Sequence, residues 1–290
     1  MLTGIIASLL GAIGQAFNYA VTKDCQIKYG ISGFNLLAAT FIYMALLLTV
    51  PLVVMGYWRY FETEHILYLI RTNVPFLLAQ YFMFCALRVS DASIVSPLLA
   101  LKIPVLCFIS LLIWGQSLSV QQYAAVALII GVAVWFSALS GRIRPKALIF
   151  VVLSTTCYVL SDIGITSMAK TIPVSSGIEQ VLITTCINYV AAGLFFVPFC
   201  PLRHIKPVDL LHVSLPSLTW IASATLCVVG FNLSGLVSGT ILQSLRGVFG
   251  VVITFIFYRD EIMGSLSRGT FFTKVALSVA MVLFVVLFYL

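Results

Sequence analysis

Charge is scarce in this chain. Of its 290 residues only 9% are charged, against 61% hydrophobic, and the mean hydropathy is +1.13. A soluble domain carries about 25% charged residues, so a soluble globular protein is excluded and a polytopic membrane protein is expected. Long polar stretches are missing too, which leaves no room for a soluble domain beside the apolar runs. The seven cysteines (Cys25, Cys85, Cys107, Cys157, Cys186, Cys200, Cys227) form no CxxC and no Cys/His spacing. His65, His204 and His212 lie outside or at the ends of the apolar runs without a spacing partner, so neither a metal nor a disulfide framework is expected. No Ser/His/Asp, HExxH, P-loop or paired-carboxylate constellation occurs, so the chain is expected to have no catalytic residues, to need no cofactor and not to be an enzyme. No basic patch is interleaved with aromatics, and the formal charge of +7 therefore reads as topology information rather than nucleic-acid binding. The N-terminus lacks a basic n-region and a small-residue cleavage site, so its first apolar run reads as a retained helix.

What the chain does have is a series of apolar runs. At 1.5 Å per residue, about 20 residues cross the hydrocarbon core as a helix. Ten spans are expected, making an all-α polytopic membrane protein: Leu2–Thr22, Phe34–Met55, Val74–Leu87, Ala92–Trp114, Val120–Leu139, Ala147–Met168, Gly177–Cys200, Val213–Leu233, Leu236–Tyr258 and Phe271–Leu290. The third is short and calls for extension through Arg71–Asn73 or a tilt. The connections Arg88–Asp91 and Ser234–Gly235 are tight enough to make antiparallel neighbours of the helices they join. Short interfacial helices are expected within Tyr57–Asn73 and at Pro207–His212.

The chain also repeats itself. A shift of 144 residues places Lys102 on Arg246, Asn18 on Asp162, Ser32-Gly33 on Ser176-Gly177, Asn35 on Glu179 and Thr40 on Thr184. About five further residues, in the Arg259–Thr270 loop, bring Val126-Ala127-Leu128 onto Val275-Ala276-Leu277. The division is 1–143 and 144–290, each half carrying five helices. An odd number of helices turns the second copy upside down, and inverted repeats place substrate sites near the midplane. Lys23, Lys28, Arg88, Arg142, Arg144, Lys146, Arg203, Lys206, Arg259, Arg268 and Lys274 fall on one side of the membrane, against Arg59, Arg71 and Lys170 on the other. The first side is expected to be cytoplasmic, with both termini on the outer face.

Lys102 and Arg246 stand out among the candidate functional residues, because each lies near the middle of an apolar run. A charge at the bilayer centre costs roughly 2.5–3.5 kcal/mol on insertion scales. One reading makes the two cations receptors for a carboxylate or phosphate, Arg246 binding it bidentately. The other makes them structural, paired with Asp162 or with backbone carbonyls. Pro97 and Pro104 flank Lys102, and Gly247 and Gly250 follow Arg246, as pivoting or closely packed helices require. Asp162 is the only acid well inside a span, suited either to proton coupling or to a counter-ion role. Gln243 shares a helix face with Arg246, and Gln15 with Asn18. Gln80, Tyr81, Tyr158, Asn188, Trp220, Asn232 and Asn18 are polar or aromatic residues within spans, placed to line a cavity or to hydrogen-bond between helices. Glu179 and Asn35 fall in first helical turns, where capping and the helix dipole account for them.

The run Asp91-Ala-Ser-Ile-Val-Ser-Pro-Leu-Leu-Ala-Leu-Lys-Ile-Pro, continuing to Trp114-Gly115-Gln116-Ser117-Leu118-Ser119, resembles the fourth helix and following turn of the EamA-like branch of the drug/metabolite transporter superfamily. Gly131 fits that family's fifth helix, and Asp260-Glu261 keeps its acidic turn in the second half, where Gln116-Ser117 replaces it in the first. The resemblance implies ten helices in two inverted five-helix repeats. It also implies a central cavity lined by the third, fourth, eighth and ninth helices, with help from the first and sixth. Many members of the family place both termini in the cytoplasm, opposite to the charge count here. The expected function is secondary active transport of a small organic solute, an amino acid or anionic metabolite, by alternating access in the bilayer of a bacterial inner membrane. Lys102 and Arg246 would hold the acidic group, and protons or a counter-substrate are open as coupling partners. A multidrug or organic-cation exporter of the same fold and a flippase for a lipid-linked substrate are the alternatives. Monomer and homodimer both remain open.

Overall fold

The computed structural model describes residues 1–31, 33–90, 95, 98–115, 118–139, 142–198, 205–246, 249–250, 252–253 and 268–289. Several expectations lie outside these residues: Ser32, the opening of the fourth span with Asp91 and Pro97, the Gln116-Ser117 turn, Cys200, Arg203, His204, Gly247, and the loop carrying Asp260-Glu261. Among the described residues the chain is helical and no strand occurs. The helices are α1 (Leu2–Tyr29), α2 (Gly33–Val54), α3 (His65–Val89), α4 (Lys102–Trp114), α5 (Val120–Ala138), α6 (Pro145–Thr171), α7 (Gly177–Phe196), α8 (Pro207–His212), α9 (Ser214–Ser234), α10 (Leu236–Ser244) and α11 (Arg268–Tyr289), with 3₁₀ turns at Tyr57–Tyr60 and Leu99–Leu101. Six of them, α1, α2, α5, α6, α7 and α9, are long and apolar enough to cross a membrane. Their exposed residues include Leu46, Val50 and Val54 on α2 and Leu194 and Phe195 on α7. Such outward apolar faces fit an integral membrane protein, where lipid rather than water is the solvent.

Local signals set the ends of these helices. Ser119 Oγ accepts from Gln122 N–H at 3.2 Å while Gln122 Oε1 accepts from Ser119 N–H at 3.0 Å, a reciprocal cap that starts α5. Ser176 Oγ accepts from Glu179 N–H at 3.4 Å and starts α7, with Glu179 in the first turn. At Pro207 the proline occupies the first turn of α8, and Asp209 Oδ2 accepts from Lys206 N–H at 2.8 Å. A single residue, Gly235, links α9 to α10 at φ 92°, a backbone conformation that side chains with a Cβ rarely adopt. The third span differs from expectation. The helix starts at His65 rather than Val74, so Ile66, Leu67, Leu69 and Ile70 belong to α3 and not to a separate interfacial helix. Charged and polar side chains at a helix end are compatible with helix geometry even where they end an apolar run.

The chain divides into two compact units. One comprises Met1–Asn73 and Ile163–Gly235, the other Val74–Asp162 and Leu236–Leu290. Both units draw on residues before 143 and after 144.

In the first unit, α1 lies along α9 on a seam of small residues. A methyl at Gly11 would lie 2.6 Å from Cys227 Sγ, one at Gly14 would lie 2.8 Å from Ser223 Cβ, and one at Gly230 would overlap Ser8 Oγ. Close backbone approach of this kind supplies van der Waals contact where lipid offers no hydrophobic drive between helices. A second close approach joins α2 to α7, where a methyl at Gly193 would overlap Ala45 Cβ and lie 2.6 Å from the Phe41 carbonyl oxygen. Ala7, Ile165, Ala169, Val181, Val228 and Val229 form one core of this unit; Met168, Ile172, Ile183, Cys186 and Ile187 form another with Tyr57.

In the second unit, α4 packs on α10 and α5 on α11, and Ser154 Oγ on α6 donates to the Ala79 carbonyl of α3 at 2.8 Å. Ala86, Val95, Leu98 and Val151 form its buried centre.

These contacts separate two glycines by their surroundings. Gly193→Ala is expected to destabilise the protein by roughly 1–3 kcal/mol, because the added methyl has no space. Gly131→Ala, in the interior of α5 with nothing within 4 Å, is expected to leave stability unchanged or raise it by up to about 1 kcal/mol. Thermal midpoints of the two purified variants in detergent give the comparison.

Candidate functional site

The ion pair of the second unit begins with a helix discontinuity. Leu99–Leu101 form a 3₁₀ turn, and α4 begins at Lys102. Pro104 is the third residue of α4, within the first turn, where its missing N–H costs no helical hydrogen bond. A cation in a first turn opposes the helix dipole, so Lys102 needs a counter-charge. Asp162 supplies it from α6: Lys102 Nζ and Asp162 Oδ2 form a salt bridge, with side-chain exposures of 8% and 20%. Lys102 Nζ also donates to Gln243 Oε1 of α10 at 2.9 Å. Three helices distant in sequence are thereby tied at one ammonium group.

Arg246 lies three residues beyond Gln243, past a second discontinuity. Regular α10 ends at Ser244, and the Leu245 N–H reaches back to the Leu242 carbonyl at 3.1 Å in a tightened turn. Arg246 is half-buried. Of the two readings for Lys102, the structure therefore contains the pairing with Asp162, and it adds Gln243 as a shared partner.

Of the remaining candidates, Gln80, Tyr81 and Tyr158 belong to the same unit as this cluster, while Asn18 and Trp220 belong to the other. Gln80 is half-buried. Tyr81 is 60% exposed and meets Phe82 ring to edge at 5.6 Å. Tyr158 stands one turn before Asp162 on α6, its ring edge-on to Phe76 at 5.9 Å. In the first unit, Asn18 Nδ2 donates to the Pro216 carbonyl at 2.7 Å and to Thr219 Oγ1 at 2.8 Å, joining α1 to α9. Trp220 Nε1–H donates to Tyr189 Oη at 3.1 Å. Asn188 Oδ1 accepts from Asn73 Nδ2 at 2.9 Å, and Asn232 Nδ2 donates to the Gly177 carbonyl at 3.1 Å. Each of these four side chains joins neighbouring helices.

Two residues of the second unit were not singled out from the sequence. Thr240 and Ser110 are each 2% exposed, and their hydroxyls have no hydrogen-bond partner among the described residues. Thr240 stands three residues before Gln243 on the same face of α10, and Ser110 lies two turns beyond Lys102 on α4. Buried hydroxyls without a partner are uncommon and call for a bound group or water. Among the described residues no group of three or more His, Cys, Asp or Glu is placed to hold a metal ion.

No protein-family model matches the chain, and no curated protein matches it. Solved structures do match in fold. One, titled "Crystal structure of protein", has a TM-score of 0.62 and 13% sequence identity, covering 99% of this chain and 94% of its own. At that identity the likeness concerns the fold alone.

The ion pair makes a definite stability prediction. Removing one member of a buried pair leaves the other charge uncompensated, at a cost of about 3–5 kcal/mol, whereas replacing both by apolar residues is often neutral or stabilising. Lys102→Met and Asp162→Leu are each expected to lower the thermal midpoint of the purified protein. The double variant is expected to recover most of the loss.

Proposed function

We propose that this protein is a secondary transporter for a small organic solute carrying an acidic group, an amino acid or an anionic metabolite. It works by alternating access in the manner of the ten-helix EamA-like branch of the drug/metabolite transporter superfamily. The reading includes two inverted five-helix repeats, 1–143 and 144–290, a bacterial inner-membrane location and basic loops on the cytoplasmic side.

The observation that carries it is the Lys102–Asp162–Gln243 cluster, set where the helical path is interrupted within apolar segments. Ionisable residues at membrane depth mark solute and ion pathways. Interrupted helices are also where transporters of inverted-repeat architecture bind their solutes. The two interruptions, at Lys102 and at Leu245–Arg246, fall 144 residues apart, and so do the first residues of α2 and α7, Gly33 and Gly177. That spacing is the repeat found in the sequence. In this reading the solute's acidic group is received by Lys102 and Arg246, with Gln243 and the Thr240 hydroxyl completing its hydrogen bonds. Gln80, Tyr81 and Tyr158 contribute the less polar walls.

One observation favours a second reading, an exporter of organic cations. Lys102 is already charge-balanced by Asp162, and Tyr158 stands one turn away on the same helix. An incoming cation that displaced Lys102 from Asp162 would find a carboxylate and an aromatic ring together.

Uptake into proteoliposomes tests both readings. Lys102→Gln and Arg246→Gln, purified as monodisperse protein, are each expected to lower uptake of small carboxylates at least tenfold. Full carboxylate uptake in both variants would overturn the anion site. Competition by lipophilic cations that is abolished in Asp162→Asn would favour the exporter instead.

A further inference from the structure

We infer that the two compact units move as separate bodies in the transport cycle, with the chain bending at Pro75, Gly164 and Gly235. The inference rests on the transport reading above and names its moving parts, which are not the sequence halves 1–143 and 144–290.

The chain passes between the units three times: at Asn73–Val74 within α3, at Asp162–Ile163 within α6 and at Gly235–Leu236 between α9 and α10. Each passage has a backbone feature that permits bending. In α3 it is Pro75, which lies inside the helix and cannot donate to the carbonyl four residues back, at Arg71. That carbonyl lies against Gly164 of α6, where an added methyl would stand 3.0 Å from the Arg71 oxygen and 2.7 Å from Thr72 Oγ1. In α6 the feature is Gly164 itself, which lets the two helices approach closely near the level where both change unit. Between α9 and α10 it is Gly235 alone, at φ 92° and ψ 148°, a conformation essentially confined to glycine. Hinges consist of a few such residues, which absorb a change in φ and ψ while the elements beside them stay intact.

The elements beside them are held in place. In the first unit, Asn73 Nδ2 donates to Asn188 Oδ1 of α7 at 2.9 Å. Asn232 Nδ2, three residues before Gly235, donates to the Gly177 carbonyl at 3.1 Å and to Gln180 Oε1 at 3.2 Å. In the second unit, Ser154 Oγ fastens α6 to the Ala79 carbonyl of α3, and Lys102 fastens α4 to Asp162 and Gln243. The closest packing joins the sequence halves instead of parting them. Gly11 meets Cys227 and Gly193 meets Ala45, each contact pairing a residue before 143 with one after 144. Seams packed this tightly hold the halves together. The Lys102–Asp162–Gln243 cluster lies wholly within the second unit and is carried as one piece.

The experiment uses the intact purified protein in lipid nanodiscs, with its own cysteines retained. A ketone-bearing amino acid placed at two exposed positions at a time carries a pair of spin labels, and pulsed electron resonance reads the distance between them. Val54 and Val120 belong to different units but to the same sequence half. Val54 with Ile178, and Val120 with Val286, each lie in one unit but in different halves. The first pair is expected to give two distances or one broad distribution, and the other two pairs a single narrow distribution each. Any other pattern, including the reverse one or narrow distributions for all three pairs, would overturn the inference. Pro75→Ala restores the N–H that the Arg71 carbonyl lacks. It is expected to narrow the Val54–Val120 distribution, with loss of succinate and glutamate uptake into proteoliposomes and no fall in thermal midpoint. A distribution unchanged by that substitution would overturn Pro75 as a hinge. The native distances decide between units and halves even if the variant does not fold. Native protein that shows the expected distances but takes up neither solute would count against the anion reading and leave the hinge standing.

Discussion

A salt bridge at the surface of a soluble protein is worth about 0–1 kcal/mol, because water and salt screen it. The bridge between Lys102 and Asp162 has no such screening. The lysine is almost fully enclosed and opens a helix whose dipole opposes its charge. Its neighbours must therefore supply what water would, and they come from three separate helices: α4 brings the ammonium, α6 the carboxylate and α10 the amide oxygen. A well-packed apolar substitute would serve net stability as well.

The first unit is held by different means. Its helices meet where side chains are absent, at Gly11, Gly14 and Gly230 between α1 and α9 and at Gly193 between α2 and α7. Buried and half-buried amides close the remaining gaps: Asn18 of α1 donates to Pro216 of α9, Asn73 of α3 to Asn188 of α7, and Asn232 of α9 to Gly177 at the start of α7. His65, 2% exposed, is fixed at both ring nitrogens, one accepting from the Glu62 N–H at 2.9 Å and the other 2.9 Å from Thr171 Oγ1. Such contacts have little tolerance for displacement, since a closely packed interior is bistable rather than continuously deformable.

Much of this was legible in the sequence. Composition pointed to a membrane protein, and six helices are long and apolar enough to cross one. The starts of α5 and α7 fall at Val120 and Gly177 as expected from the apolar runs, and local caps by Ser119 and Ser176 account for them. Lys102 and Asp162 were legible as rare charges in apolar runs, and their pairing stood as one of two open readings. What was not legible depended on tertiary packing. The early start of α3 was hidden because Arg71 and Asn73 interrupt its hydropathy without interrupting its helix. The shared hydrogen bond from Lys102 to Gln243 spans 141 residues and has no local signature. Thr240 and Ser110 gave no signal either, since a Ser or Thr in an apolar helix ordinarily returns its hydroxyl to its own backbone, as Ser137 and Ser244 do.

The order in which the chain is made adds a constraint of its own. Lys102 leaves the ribosome 60 residues ahead of Asp162 and 141 ahead of Gln243. At about 5–20 residues per second, the lysine waits roughly 3–12 s for its counter-ion and longer for its amide. Throughout that interval the nascent chain carries an uncompensated charge in an apolar segment, and the glycine face of α1 has no α9 to meet. The early helices therefore reach their final contacts only when the later ones have been made.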